Sequence, residues 1–597
     1  MRISKVTTTF DYERLSESVQ VWRLSTSDER IKRGARVLDA GCDEGEVFSV
    51  LFSSSREVYM LVDARADGLA LARRIVKSSP DEHLSAAKVG LDALDPHILL
   101  QLLINSLATP RGYGLSLNNV SGHLFAVPAN GVKRRAGHVE QVHALEVRVA
   151  SDGTLVLHVR TFTSLRLKRY MRKGRVDPER MPRYALTPLG DLRRSFEGGK
   201  DELVMRQLGG KRYRVPFLDM SSLDAYETCK LGILDEVLRM LELRYGGSCI
   251  VEFEKLDDSA RVSDARYVSV RWHEEVKAML CGERIAVANE TGDDEFDEVC
   301  SKLAEALSEL VGSQVRCGGT PGEAEMLVRV IHEKDYFSCA REDNYAGLHP
   351  HDIVQHIAVE TLCAKPNIPS VIVDTLVKEL AIKRDIVAGE IRVFDWTGSG
   401  LGGPWTFGLV VDDEGGEGDE RYAFVTVGAD GRLGFAFECW DPMGESAYAG
   451  LVDDLSLSKG ARAIVRSPEG DVCVILDTEL FAVPDFAEIR RCLEGEGRIS
   501  RSREAIDGYL RESTDVSYAP IDGRSGYYYA GVVGGGMQTK VPTAAVVRKA
   551  EELRGSAPVL PRILPLMDVD FVKTKALTVV PFPLKHLREW LAMNGLA

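Results

Sequence analysis

VQHIAVETLCAKPNIPSVIVDTLVKELAIK, residues 354–383, decides how the C-terminal half of this chain is read. The spacing of apolar residues in its second part predicts a long, mostly apolar helix. The first part, from Gln355 into VETL, reads as another helix. Gln355 then opens one helix and Lys383 closes the next. With a loop between them, two such helices converge their polar ends. A glutamine amide and a lysine ammonium can grip one phosphate, the amide by hydrogen bond and the ammonium as a point charge. Upstream, IHEKDYFSCAREDNY follows a buried-strand pattern and offers His332, Lys334, Tyr336 and Arg341 in a loop. A tyrosine can stack on a terminal base while basic groups hold its phosphate.

Working outward, residues 246–384 carry a strand–helix–strand rhythm. SCIVEFEKL, ERIAVANE and EMLVRVIHE read as strands, and DEFDEVCSKLAEALSELVG as a helix with a stripe of Phe296, Val299, Leu303, Ala306, Leu307 and Leu310. That order predicts an open, doubly wound sheet. Residues 385–597 begin with three strands, WTFGLVVDD, ERYAFVTVGADG and RLGFAFECWD, the last two joined at GADG. A strand (DVCVILD) and a helix (FAEIRRCLEG) follow, the order of an RNase H-like sheet. Residues 1–135 read as an α/β domain with helices in DGLALARRIVKSS and DPHILLQLLINSLA. In residues 136–245 two strands meet at an SDG turn, a basic segment follows, and KLGILDEVLRMLELRYG closes the region as a helix.

A chain of 597 residues is too long for one core, so several domains are expected. No apolar run reaches the roughly 18–20 residues that span a bilayer. The opening MRISKVTTTFDYERL has no apolar segment of a secretory signal, so a cytoplasmic protein without membrane partners is expected. Eleven cysteines are scattered with no C-x-x-C pair, which argues against zinc and for reduced thiols. The net charge of −15 disfavours broad nucleic-acid binding, but the basic residues are grouped. RLKRYMRKGRVDPERMPR, residues 166–183, contains Arg166, Lys168, Arg169, Arg172, Lys173 and Arg175, and GGKRYR adds Lys211, Arg212 and Arg214. With tyrosines interleaved, these fit the lining of a nucleic-acid backbone channel.

The order and spacing of Gln355 and Lys383 resemble the MID domain of the Argonaute/PIWI family, where such residues hold a guide strand's 5′ phosphate. Tyr336 with Lys334 or Arg341 takes the place of the family's first pair, at a different loop spacing. The end, TVVPFPLKHLREWLAMNGLA, is similar to the family's C-terminus, where the last carboxylate, here Ala597, closes the phosphate pocket, sometimes through a metal such as Mg²⁺. The resemblance implies an α/β multidomain, bilobed architecture. Residues 1–135 would be an N-terminal domain and 136–245 a basic linker or reduced PAZ-like region. Residues 246–384 would be a Rossmann-like MID domain and 385–597 an RNase H-like PIWI domain. It also implies a short 5′-phosphorylated guide, DNA more than RNA, and a complementary target strand. In the DdmE-type, plasmid-defence branch of the family a helicase or nuclease partner acts as effector.

Cutting by a PIWI domain needs clustered carboxylates or a histidine around divalent ions. Here Asp412 and Asp413 end a strand and run into an acidic, glycine-rich loop, and Lys585 beside His586 would repel a metal. No cleavage by this chain is therefore expected. The alternative is an Mg/Mn-dependent guided endonuclease using Asp412, Asp477 and His586. A third reading starts from RVLDAGCDEGEVFSVLF, residues 36–52. As a strand, a turn and a helix it would bind S-adenosylmethionine through Asp39, Gly41, Gly45 and Asp63, although Asp43 stands where a middle glycine is usual.

Overall fold

Segments far apart in the chain build each of the two units of the fold. The first unit comprises Met1–Asp257, Glu479–Thr514 and Gly534–Val547, and the second Asp258–Thr478, Asp515–Val533 and Arg548–Ala597. The computed structural model describes residues 2–31, 34–78, 83–108, 115–167, 181–188, 190–195, 199, 201–205, 215–256, 260–261, 272–318, 324–333, 336, 353–363, 367–411, 421–439, 446–494, 516–530, 540–541, 547–567 and 580–596.

In the first unit, Arg2–Phe10 lies between two antiparallel neighbours, Cys249–Lys255 and Ala482–Val483. SCIVEFEKL is therefore a strand, as its alternation predicts, but it pairs with the N-terminus rather than opening the next domain. The hairpin of His138–Val149 and Leu155–Ser164 forms at the expected turn. Gly153 takes φ +83 there, and a Cβ on it would meet the Val6 carbonyl at 2.8 Å. This hairpin sits inside an antiparallel sheet that also holds Leu115–Val120, His123–Pro128 and Val132–Arg135. Strand pairing thus runs straight across position 135.

The stretch 36–52 corrects the sequence reading. Gly34–Asp43 is a helix and Val47–Ser54 a strand, so the order is helix–turn–strand instead of strand–turn–helix. Val37, Leu38 and Gly41, at helical spacing, are buried. A Cβ on Gly41 would meet Val50 Cγ1 at 2.4 Å, so this glycine lets the helix lie close on the strand.

The second unit starts with a parallel sheet of β1 (Ile285–Asn289), β2 (Arg316–Cys317), β3 (Met326–Ile331) and β4 (Ile353–Ala358), in the spatial order β2-β1-β3-β4. Helix α1 (Trp272–Leu280) precedes it, α2 (Asp297–Val311) crosses from β1 to β2, and α3 (Ser370–Ala388) follows β4. Parallel neighbours need such crossovers. Gln355 consequently lies on a strand, not at the head of a helix: Ile353 and Ile357, buried two positions to either side, give its segment the strand period. Helix α2 ends where Gly312 adopts φ +75 and closes the last turn.

Next come β5 (Trp405–Val411), β6 (Arg421–Val427) and β7 (Leu433–Cys439), the expected meander. Helix α4 (Ala449–Leu457) leads to β8 (Ala461–Arg466), and β9 (Val472–Leu476) returns beside it. The strands β10 (Val516–Pro520), β11 (Ser525–Ala530) and β12 (Val547–Arg554) extend the same sheet in the order β10-β11-β12-β9-β8-β5-β6-β7. Alternating helices and strands would add β8 in parallel. Instead β8 runs antiparallel to β5, with Thr406 opposite Arg466, and every pair from β12 to β7 is antiparallel. The sheet therefore departs from the strand directions that the RNase H-like expectation carried. The helix Phe486–Glu494 belongs to the first unit and does not continue this sheet.

One hydrophobic core runs from Val276 in α1 through α3 and both sheets to Leu591 in the last helix, α5 (Pro583–Met593). Position 384 falls inside α3, so residues on its two sides share this core. Among the described residues no helix is long and apolar enough to cross a membrane.

Candidate phosphate-binding cluster

Strand β4 forms the edge of the parallel sheet and packs against α3. Gln355 shares a face with Ile353 and Ile357, which lie in the core. A polar side chain in that row needs a partner, and Lys383 supplies it. Its Nζ, on a side chain only 9% exposed, donates to Gln355 Oε1 at 2.7 Å and to the Val354 carbonyl at 2.5 Å. The two residues that the sequence separates by 28 positions thus meet.

Three further residues complete the cluster. Glu589 Oε2 lies 3.9 Å from Lys383 Nζ, while Lys585 Nζ reaches Glu589 Oε1 at 2.8 Å and Glu379 Oε1 at 3.9 Å. Burial pushes the Lys383 ammonium below its usual 10.5, an effect that Glu589 and Glu379 partly offset. Burial likewise raises the Glu379 carboxyl, assisted by Glu589 and opposed by Lys585, Lys383 and a hydrogen bond with Gln355. Two ammoniums face two carboxylates. The Glu589 contact to Lys383, at 3.9 Å, is longer than the two hydrogen bonds.

Sequence reasoning did not place Glu379, Lys585 or Glu589 in this cluster. The signal was present as charge pairs four residues apart, Glu379 with Lys383 and Lys585 with Glu589, which share a helix face. These residues do not fit an Mg²⁺ ion, because the two ammoniums inside the cluster would repel it.

Tyr336 lies elsewhere on the same sheet. It is 64% exposed and stacks on His332 with ring centroids 3.7 Å apart. His332 Nδ1 is 2.7 Å from Glu360 Oε1, and Phe296 meets the imidazole edge-on. Burial raises the Glu360 carboxyl, but hydrogen bonds from His332 and the backbone outweigh it and lower the pKa. His332 follows β3 and Glu360 follows β4, so this stack sits at the carboxyl ends of the strands, where open α/β sheets place ligands. The structure brings Gln355 and Lys383 together, and the contact described for the Tyr336 ring is its stack on His332. Lys334, Arg341 and Ala597 lie outside the described residues, as do Lys168, Arg169, Arg172, Lys173, Arg175, Lys211, Arg212 and Arg214. Arg166 is half-exposed and forks onto Asp201, with Nε at 2.5 Å.

Two of the residues considered for metal chemistry, His586 and Asp477, make side-chain ion pairs. His586 Nε2 lies 3.0 Å from Asp385 Oδ2, and both side chains are fully buried. Asp385 also accepts the Arg392 and Val393 N–H groups, so the pair ties α5 to the end of α3. Asp477 faces Arg548 at 3.5 Å. Asp412 and Asp413 lie outside the described residues. Among the described residues no group of three or more His, Cys, Asp or Glu side chains could hold a metal ion.

The S-adenosylmethionine residues are likewise dispersed. Asp39 accepts from Ser121 Oγ at 2.7 Å and Arg194 Nε at 3.0 Å. Asp39 and Gly45 line a cavity of about 600 Å³. Gly41 is packed beneath Val50, and Asp63 accepts the Arg65 N–H instead of lining that cavity. The strand–turn–helix that would cradle the cofactor is absent from this stretch. No protein-family model matches the chain, and no curated protein sequence matches it.

Proposed function

We propose that this chain is an Argonaute-like, guide-strand-binding protein of the cytoplasm that recognises complementary nucleic acid and recruits an effector instead of cutting. The observation that carries this reading is the Lys383–Gln355 contact at 2.7 Å on the edge of a parallel sheet. An amide and an ammonium held together in this way can receive one phosphate, which would take the place of Glu589 beside Lys383. The exposed ring of Tyr336, braced by His332, offers a base a stacking face at the carboxyl ends of the same sheet. The grouped arginines and lysines of residues 166–214 supply charge for a backbone channel. Lys585 held beside Glu589, and His586 paired with Asp385, support the reading without two-metal cleavage. DNA is the preferred guide in this reading, the setting is defence against plasmids or phages, and a helicase or nuclease is the expected effector.

The test compares 5′-phosphorylated and 5′-hydroxyl strands of one sequence on wild type and on the Gln355→Ala/Lys383→Ala variant. Wild type should prefer the phosphorylated strand, and the folded variant should lose that preference. An undiminished preference in the variant would remove this pocket from the reading.

A further inference from the structure

The antiparallel sheet of the first unit curls until its two end strands meet. It runs from Leu192–Arg194 through Arg183–Leu186, Leu203–Met205, the SDG hairpin and His123–Pro128 to Leu115–Val120. Among the described residues no strand ladder joins the two ends. Side chains bridge them instead. The Leu192 N–H donates to Asn118 Oδ1 at 3.1 Å, and Ser116 Oγ donates to Asp191 Oδ1 at 3.0 Å. From the helix Gly34–Asp43, Asp39 clasps both sides of this seam, accepting from Ser121 Oγ just beyond one end strand and from Arg194 Nε on the other. The cavity of about 600 Å³ lies here, a size ordinary for a small-molecule site.

The carboxylates of Asp39, Glu44 and Asp191 line it. Asp39 is engaged as above, and Glu44 receives the Arg74 fork at 3.0 and 3.4 Å. Asp191 differs. Its side chain is only 5% exposed, and Ser116 donates to Oδ1, but among the described residues no hydrogen bond reaches Oδ2. Arg193 NH2 stands 3.8 Å from that oxygen, too far for one. Asn119, on the same cavity wall, has a buried Oδ1 without a hydrogen-bond partner among the described residues. A carboxylate oxygen can only accept, so the open one calls for a ligand that donates. One open carboxylate is too few for a polyamine. The rest of the wall includes Val47, Phe48, Leu117 and Leu192, apolar surface against which a flat ring can lie. Guanine meets both demands, because its ring N–H and amino group stand side by side and can donate to one carboxylate together. Adenine sets a ring acceptor beside its amino group, and that lone pair would face the carboxylate. Arg193, 66% exposed, can turn from Asp191 to a phosphate.

We propose that this seam cavity binds a free guanine nucleotide, with the base donating to Asp191 and the phosphate held by Arg193. The site shares no residue with the Lys383 cluster and needs no strand, so either can fail without the other. The test is calorimetry on the full chain with GMP, IMP, AMP and guanosine as probes. Wild type should bind GMP about tenfold or more tighter than AMP, with IMP, which keeps the ring N–H but lacks the amino group, between them. Asp191→Asn replaces an acceptor by an amide that also donates, so GMP binding should weaken by about tenfold and its advantage over AMP should collapse. Arg193→Ala, at an exposed position, should erase a few-fold advantage of GMP over guanosine and leave the preference for guanine over adenine intact. Should Asp191→Asn fail to fold, the wild-type order of probes and the Arg193→Ala variant still decide. Wild type that binds none of the probes, or binds GMP and AMP alike, overturns the site. So does a folded Asp191→Asn variant that keeps the full preference for GMP, or binding of spermidine where GMP does not bind.

Discussion

Helix α5 carries two charged clusters whose described partners differ in kind. On one side Lys585 and Glu589 join Lys383, Glu379 and Gln355 in a network where two ammoniums meet two carboxylates. On the other, Arg588 meets Arg462 and Arg548 with Asp477 as the carboxylate that bears on it. In the first cluster each described ammonium has a carboxylate beside it, so a ligand must compete with an internal carboxylate. In the second, the described carboxylate is Asp477, 3.5 Å from Arg548. What decides whether such a cluster can take an anion is whether the protein has already supplied the counter-charge.

Breaking a third polar contact of α5 should have the largest effect. His586→Ala leaves Asp385 fully buried with only backbone donors, at a cost of about 3 kcal/mol measured by denaturant unfolding. Strand binding per folded molecule should be unchanged, which separates this core pair from both clusters. In the first unit, Gly41→Ala drives a methyl into Val50 and should cost about 1–3 kcal/mol, again with strand binding intact. A loss of S-adenosylmethionine binding in that variant, seen by calorimetry without a loss of stability, would revive the cofactor reading of residues 36–63.

Glu589→Gln sharpens the contrast directly. It removes the internal anion next to Lys383, so stability should fall by at most about 1 kcal/mol while preference for a 5′ phosphate rises by a few-fold. The smallest effect expected is in pH. Lys383 gives up its proton below the usual 10.5, so 5′-phosphate retention should decline on the alkaline side before an ordinary lysine titrates, and Lys383→Arg should move that edge upward. For stability the sign is reversed. The unfolded chain binds more protons at this group between the two pKa values, so its contribution to stability rises with pH across that window.

Much of the local structure was legible in sequence. The SDG hairpin, the helix of residues 370–388 and the β5–β7 meander follow from period and turn residues. Two short apolar runs were not. VQHIA is a strand because Met326–Ile331 offers it a parallel partner, and RVLDAGC is a helix because Gly41 fits beneath Val50. Both choices rest on distant residues that no local window contains. Pairing between Arg2–Phe10, Cys249–Lys255 and Ala482–Val483 is equally non-local, and so is the antiparallel entry of β8. Of the candidate site, the Gln355–Lys383 pair was legible. The carboxylates around it were visible as four-residue charge pairs, but nothing local shows that two helices bring those pairs together.

The most direct measurement is of what the protein carries. It should be purified from its host, and the nucleic acid extracted and end-labelled before and after phosphatase treatment. A narrow population of short strands that label only after phosphatase, lost from Gln355→Ala/Lys383→Ala, is the result expected of a guide-binding protein. Protein that carries no strands, or carries 5′-hydroxyl fragments of every length equally in wild type and variant, would contradict it.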